Sequence, residues 1–331
     1  MINIEGKDSG GQLLRTALGL SVLTGKSFKI TNIRRGRPTP GIKEQHLQTI
    51  NVMKELCNAS VKGDKLGSTN LEFIPQEIKE KELSVKISTA GSVALVLQSL
   101  LIAGLNYDLN VKINGGGTWN LHAPPVCFLQ NVLKPILSKA GYNFDIEILK
   151  EGFYPKGGAV VNFKSKKCKL GKINLTEKSK SASIRGISVA SNDLKERKVA
   201  ERQKEGAGKI LLDYFKIKPE IEIKYARTLS TGTGILLYIN TKNSIISNDN
   251  LGKLGKKAED VGKECAEILI KEYEEGVVDK FIGDQILPYL AIGKGAVKVS
   301  EITDHIKSNI YVIEKFLDVK FDVKGKEINV D

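Results

Sequence analysis

The chain has 331 residues, 41% hydrophobic and 27% charged, with 51 Lys and Arg against 38 Asp and Glu, a formal net charge of +13. That length supports one large buried core or two ordinary ones, and no apolar run reaches the roughly 18 residues of a membrane span. The positive balance favours a polyanionic partner or substrate, nucleic acid or nucleotide, over a surface charged only for solubility.

In chain order, "MINIEGKDSGG" lacks the basic-then-apolar layout of a signal peptide, so a cytosolic location is expected. "DSGGQLLR" (Asp8 to Arg15) puts two glycines at a helix start behind a carboxylate, and Gln12 and Arg15 share one face of that helix. Helix N-termini attract phosphate through free N–H groups and the dipole, while glycine capping explains the same pattern without a ligand. "NIRRGRPTPGIKEQHL" crowds Arg34, Arg35 and Arg37 onto a Gly/Pro turn before a helix bearing Gln45 and His46. Guanidinium forks in that setting suit bidentate phosphate contact. Gln98 interrupts the apolar helix "SVALVLQSLLIAGL", where a buried amide needs a partner or costs about 1–3 kcal/mol. "NGGGTWNLHAPPVCF" supplies a glycine run, a Trp119 expected to be exposed, His122, and a rigid Pro124–Pro125 start to a helix. Four scattered cysteines and three distant histidines make a local zinc site improbable and read as buried free thiols. No P-loop and no dinucleotide-binding glycine motif is present.

Three regions share one layout: glycine, apolar helix, small-residue stop, alternating strand, then a second helix and further strand. They predict an α+β fold of three repeated β-α-β-α-β units with helices on one side of each sheet. Residues 181–275 follow a separate β-α-β-β-α order and read as a small domain inserted into the third unit, leaving 1–180 and 276–331 as the main domain. The ends of such an insertion must lie close together. Near the C-terminus, "TDHIKSNIYVIEKFL" predicts a helix with Ile306, Ile310, Ile313 and Leu317 as its apolar stripe, and His305 and Asn309 on the flank. A first-turn position keeps the imidazole of His305 neutral and nucleophilic; an ordinary exposed histidine fits the pattern as well.

"SGGQLLRTAL", "IRRGRPTPGIKEQHL", "TAGSVALVLQ", "HAPPVCF", "EGFYPKGGAV", "FIGDQILPYLA" and "DHIKSNIYVIEKFL" occur in order, and through them the chain resembles the RNA 3′-terminal phosphate cyclase family over essentially its whole length. The resemblance implies an enzyme that uses ATP to convert an RNA 3′-phosphate into a 2′,3′-cyclic phosphodiester. It also implies a covalent His–AMP intermediate, formed at His305, and an RNA(3′)pp(5′)A intermediate. It carries further roles onto matching positions. Gln98 and the run Phe281, Ile282, Gly283, Asp284, Gln285 would contact nucleotide, and Pro124 and Phe281 would sandwich adenine. Arg15, Arg34, Arg37 and Gln45 would hold phosphates, and Asp8 would bind a divalent metal, Mg or Mn.

The chain departs from the family pattern in four places. Asp8 stands for a glutamate, Phe281 for a tyrosine, Glu151 for a usually basic residue and Ala159 for a third glycine. RNA with a 3′-phosphate end is the implied partner, no membrane is implied, and the oligomeric state is left open, a homodimer included. One alternative is a non-catalytic cyclase-like RNA-binding factor in ribosome assembly, a branch that lacks the histidine. An enolpyruvate-type transferase fits the repeats but neither the charge nor His305.

Overall fold

A computed structural model describes residues 1–6, 11–78, 82–179 and 181–331. The first unit comprises β1 (Ile2–Glu5), α1 (Gly11–Thr24), β2 (Phe28–Thr31), α2 (Glu44–Leu56), β3 (Ser60–Lys62) and β4 (Leu71–Ile74). The second comprises β5 (Glu82–Ser92), α3 (Val93–Ala103) and β6 (Leu109–Gly117), then α4 (Val126–Phe128) and α5 (Lys134–Lys139) joined by a π-turn, then β7 (Phe144–Lys150) and β8 (Val160–Ser165). β9 (Ile173–Leu175) opens the third unit. The chain then departs through β10 (Ser181–Ser191), α6 (Val199–Phe215), β11 (Glu220–Ala226), β12 (Thr233–Thr241), β13 (Ile245–Leu251) and α7 (Ala258–Glu275). It returns with α8 (Lys280–Gly293), β14 (Gly295–Lys298), α9 (Asp304–Phe316), β15 (Phe321–Lys324) and β16 (Glu327–Val330).

Among the described residues, three of the four sheets have the same wiring: β1-β2-β4-β3, β5-β6-β8-β7 and β9-β14-β16-β15. In each, the first pair is parallel and the other two pairs are antiparallel. The architecture is α+β, and each unit has one strand more than the sequence pattern suggests. That strand is β3, only three residues long, in the first sheet and β7 in the second. In the third, the run "VKFDVKGKEINV" folds back at Gly325 into the hairpin of β15 and β16. β3 is too short to leave a periodicity, whereas β7, FDIEILK, does alternate and is not among the strands expected from the sequence.

Strands such as β2, where Phe28 and Ile30 are buried and Lys29 is exposed, alternate, so that one face of the sheet rests on helices. α1 sits among α2, α3 and α9 and is buried at every position from Gln12 to Leu23. Fully burying each of its leucines stabilises the fold by about 1.5–3 kcal/mol relative to exposure. Among the described residues, three helices carry side-chain N-caps: Ser92 accepts from Leu95 N, Asp279 from Phe281 N and Ile282 N, and Thr303 from Ile306 N. Among the described residues, no helix is long and apolar enough to cross a membrane.

The fourth sheet, β11-β10-β12-β13, is covered on one face by α6 and α7 around Ile184, Leu237, Ile239 and Leu269. Its other face joins the main core through Val189, Leu236 and Ile245. Trp119, expected to be exposed, is 2% exposed, because it inserts against this sheet. A Cβ on Gly234 of β12 would lie 2.4 Å from the indole, so only glycine permits the contact. All four cysteines are free thiols; three are buried and Cys168 is half-buried.

Candidate active site

α1, α3, α8, α9 and β13 enclose a cleft of about 640 Å³. Gln12, Arg15, Gln98, Pro124, Phe281, Asp284, Gln285 and His305 all line it. The cleft therefore gathers residues separated by nearly the whole sequence.

Arg15 organises one wall. Its Nε donates to Gln98 Oε1 at 3.1 Å, and its Nη2 donates to Gln12 Oε1. Gln98 is half-buried, so the awkward amide in an apolar helix has its partner in this guanidinium. Burial pulls the Arg15 pKa down to about 10 against the opposing pull of Asp284, which leaves it charged at neutral pH. The amide oxygen of Gln285 is buried and has no hydrogen-bond partner among the described residues.

A polar chain crosses three helices to reach the histidine. Thr16 Oγ1 donates to Asn309 Oδ1 at 2.7 Å, and Asn309 Nδ2 donates to Asp284 Oδ1 at 2.5 Å and to the Asp284 carbonyl at 3.1 Å. The other carboxylate oxygen of Asp284 lies 3.9 Å from Nδ1 of His305. Burial raises the Asp284 pKa to about 7, while Arg15 and the Asn309 hydrogen bond hold it down. His305 is about half-exposed, and its pKa is lowered by burial, then by Arg15 and Arg37, with Asp304 opposing. A neutral imidazole follows, as the helix-dipole argument expects, although burial and two arginines are its main causes.

α9 itself differs from the sequence expectation. Asn309 is completely buried, not on the flank, and the buried stripe is Ile306, Asn309, Val312, Ile313 and Phe316. Ile310 and Leu317 are only half-buried. The amide is tolerated inside because Thr16 and Asp284 satisfy it.

The remaining expected residues divide. Ile282 and Gly283 are buried within α8, Gly283 directly against Val299, so they shape the helix that presents Phe281, Asp284 and Gln285. Arg34 does not line the cleft. Its Nη1 donates to the carbonyls of Thr39 (2.9 Å) and Gly41 (3.1 Å), bracing the turn. Arg37 is exposed, yet its charge is felt at His305. Gln45 is exposed and outside the cleft. Asp8 lies outside the described residues. Among the described residues no three His, Cys, Asp or Glu side chains converge as a metal cage.

Sequence reasoning noted His46 but gave it no role. It is 1% exposed, and its Nδ1 accepts from Lys43 N at 3.0 Å, which leaves the proton on Nε2. That Nε2 has no partner among the described residues and rests against the start of α1, where a Cβ on Gly11 would lie 2.0 Å away. Burial, with Arg15, Arg34 and Lys43, drives its pKa down to about 3. The only signal for it was its place next to Gln45, nine residues past Arg37, the last arginine of the turn.

A sequence profile of the family described as RNA 3′-terminal phosphate cyclase matches residues 7–323. Proteins named RNA 3′-terminal phosphate cyclase are similar to this chain along its length. The protein from Thermococcus gammatolerans is 43% identical, over 98% of this chain and 95% of the relative. That from Pyrococcus abyssi is 42% identical (98% and 96%), and that from Methanopyrus kandleri 39% identical (99% and 96%). The chain belongs to the RNA 3′-terminal phosphate cyclase family.

Proposed function

We propose that this protein uses ATP to convert RNA 3′-terminal phosphates into 2′,3′-cyclic phosphodiesters, with His305 as the nucleophile. The observation that carries the reading is the chain Thr16–Asn309–Asp284 ending beside His305 in a cleft it shares with Arg15 and Gln98. With Nδ1–H turned toward Asp284, the lone pair of Nε2 is free to attack. Attack on the α-phosphorus of ATP forms the Nε2–P bond and expels pyrophosphate. The imidazole becomes cationic at that moment, and Asp284 is the carboxylate placed to offset it. Arg15, which lines the cleft, is a donor suited to the accumulating negative charge, with His46 behind the start of α1 and Arg37 on the neighbouring turn. An RNA 3′-phosphate oxygen then takes the adenylyl group from His305. Last, the adjacent 2′-hydroxyl closes on the 3′-phosphorus and AMP leaves. Pro124 and Phe281, facing the same cleft, are suited to stack the adenine.

Asp8 would supply a carboxylate to a divalent metal, Mg or Mn, whose chemistry is to neutralise phosphate charge; no step above depends on it. We also read residues 181–275 as an inserted domain. In support, its flanks touch: the Lys178 ammonium lies 3.9 Å above the Tyr273 ring. Four free thiols are in keeping with a cytosolic location.

The test is incubation of the purified protein with ATP, Mg or Mn, and an oligoribonucleotide bearing a 3′-phosphate. The reading predicts an end that phosphatase no longer removes. An RNA that is bound but left phosphatase-sensitive, under conditions where ATP also binds, overturns it in favour of a binding factor.

A further inference from the structure

β13, an edge strand of the fourth sheet, lines the same cleft as α1. Its side chains alternate. Asn248 and Asn250 turn toward α7, donating to the carbonyls of Cys265 (3.2 Å) and Val261 (3.0 Å). Ser247 and Asp249 therefore face the other way, toward the main body. Ser247 is anchored there, its N and Oγ donating to Asp279 Oδ2 at 2.8 and 3.0 Å. Asp279 in turn caps the helix that carries Phe281. Asp249 stands about 7 Å further along the strand. No hydrogen bond or ion pair satisfies its carboxyl among the described residues, although it lines the same cleft as Pro124, Phe281 and His305.

Asp249 shares the cleft lining with both stacking residues, and two neighbours feel its charge. Burial, then the nearby Asp279 charge, pushes Asp249 up to about 7. The buried thiol of Cys127, three residues past Pro124, is raised by burial and further by Glu151 and Asp249. Asp249 therefore lines the cleft with Pro124 and Phe281, two residues along β13 from the Ser247 that holds the cap of the Phe281 helix. The half-buried carboxyl has no donor among the described residues, and an N–H brought by a ligand into the cleft would supply one.

We propose that Asp249 reads the base of the nucleotide, accepting a hydrogen bond from the exocyclic amine at the purine 6-position. This inference rests on the reading that Pro124 and Phe281 stack the base while His305 faces the α-phosphorus. With both ends of the nucleotide so held, a 6-amino purine places N–H groups against the carboxylate. A 6-oxo purine in the same seat places a carbonyl oxygen there and is repelled. The inserted sheet then has a role in substrate choice: it completes the nucleotide cleft and selects adenine.

The test is a cycle of two changes measured by equilibrium binding and by half-saturation of self-adenylylation. The ligands are ATP, purine riboside triphosphate (which lacks the amine) and GTP. The proteins are wild type, Asp249→Ala and Phe281→Ala. Loss of the amine should weaken wild-type binding about ten- to a hundredfold, the range for a hydrogen bond to a charged group. The same loss should leave Asp249→Ala nearly unaffected, and that variant should also lose most of its preference for ATP over GTP. Removing an unpaired carboxyl beside Asp279 relieves repulsion, so the variant should fold at least as stably as wild type. An equal cost for the missing amine in wild type and Asp249→Ala overturns the inference. The stacking reading has its own readout: Phe281→Ala should weaken ATP and the amine-free analogue alike. No loss in Phe281→Ala overturns that reading and the inference built on it.

Discussion

Asp284→Asn keeps the shape of the site and removes one charge. The amide oxygen of the new residue can still accept from Asn309 Nδ2, so the Thr16–Asn309 linkage survives and the fold should be little changed. What is lost is the carboxylate 3.9 Å from His305 Nδ1 at the moment the ring becomes cationic. His305 is half-exposed, so an effective dielectric of about 20–40 applies, and Coulomb's law then gives about 2–4 kcal/mol. Placed wholly in the transition state, that is about a 30- to 1,000-fold slower adenylylation. The assay is single-turnover transfer from α-labelled ATP at saturating nucleotide, with thermal melts alongside. Asp284 titrates near pH 7, so the wild-type profile should rise with pH as the carboxylate forms, and Asp284→Asn should lack that rise. A variant that melts normally and labels at the wild-type rate across the pH range would refute the role given to Asp284.

Other expectations follow from the same geometry. Arg37 lowers the His305 pKa, so Arg37→Ala should move the acid limb of the adenylylation profile to higher pH; an unmoved limb removes Arg37 from the site. His46 is neutral in the fold with a pKa near 3, against about 6.5 unfolded, so the unfolded chain binds the extra proton between those values. Its contribution to stability is complete above about pH 6.5 and is lost by about 1.4 kcal/mol per unit as pH falls toward 3; urea melts of His46→Asn should be flatter over that window, and a parallel curve contradicts the assignment. Gly234→Ala should cost about 1–3 kcal/mol by overpacking against Trp119, read as a lower denaturant midpoint.

The α+β class, the helices and the order of elements were legible because apolar periodicity reports which faces are covered. The same signal missed the extra edge strand of each sheet and misplaced Trp119, whose cover comes from β12, more than a hundred residues later. It also put Asn309 on a flank, because a polar residue reads as exposed until its partners are known, and one of them, Thr16, is 293 positions away. Arg15, Gln98 and His305 stood out from their own sequence settings and Phe281 only through the family resemblance, and the structure brings all four to one cleft. Asp249 had no motif. Only the alternation of β13 against two different neighbours picks it out.

The most direct measurement is to incubate the protein with α-labelled ATP and a divalent metal, wild type beside His305→Ala, and resolve both on a denaturing gel. The account predicts an acid-labile AMP label on wild type, mapped to the peptide containing His305, and none on a variant that melts normally because its side chain was half-exposed. A full label on His305→Ala, or none on a wild-type protein that binds ATP, would contradict it.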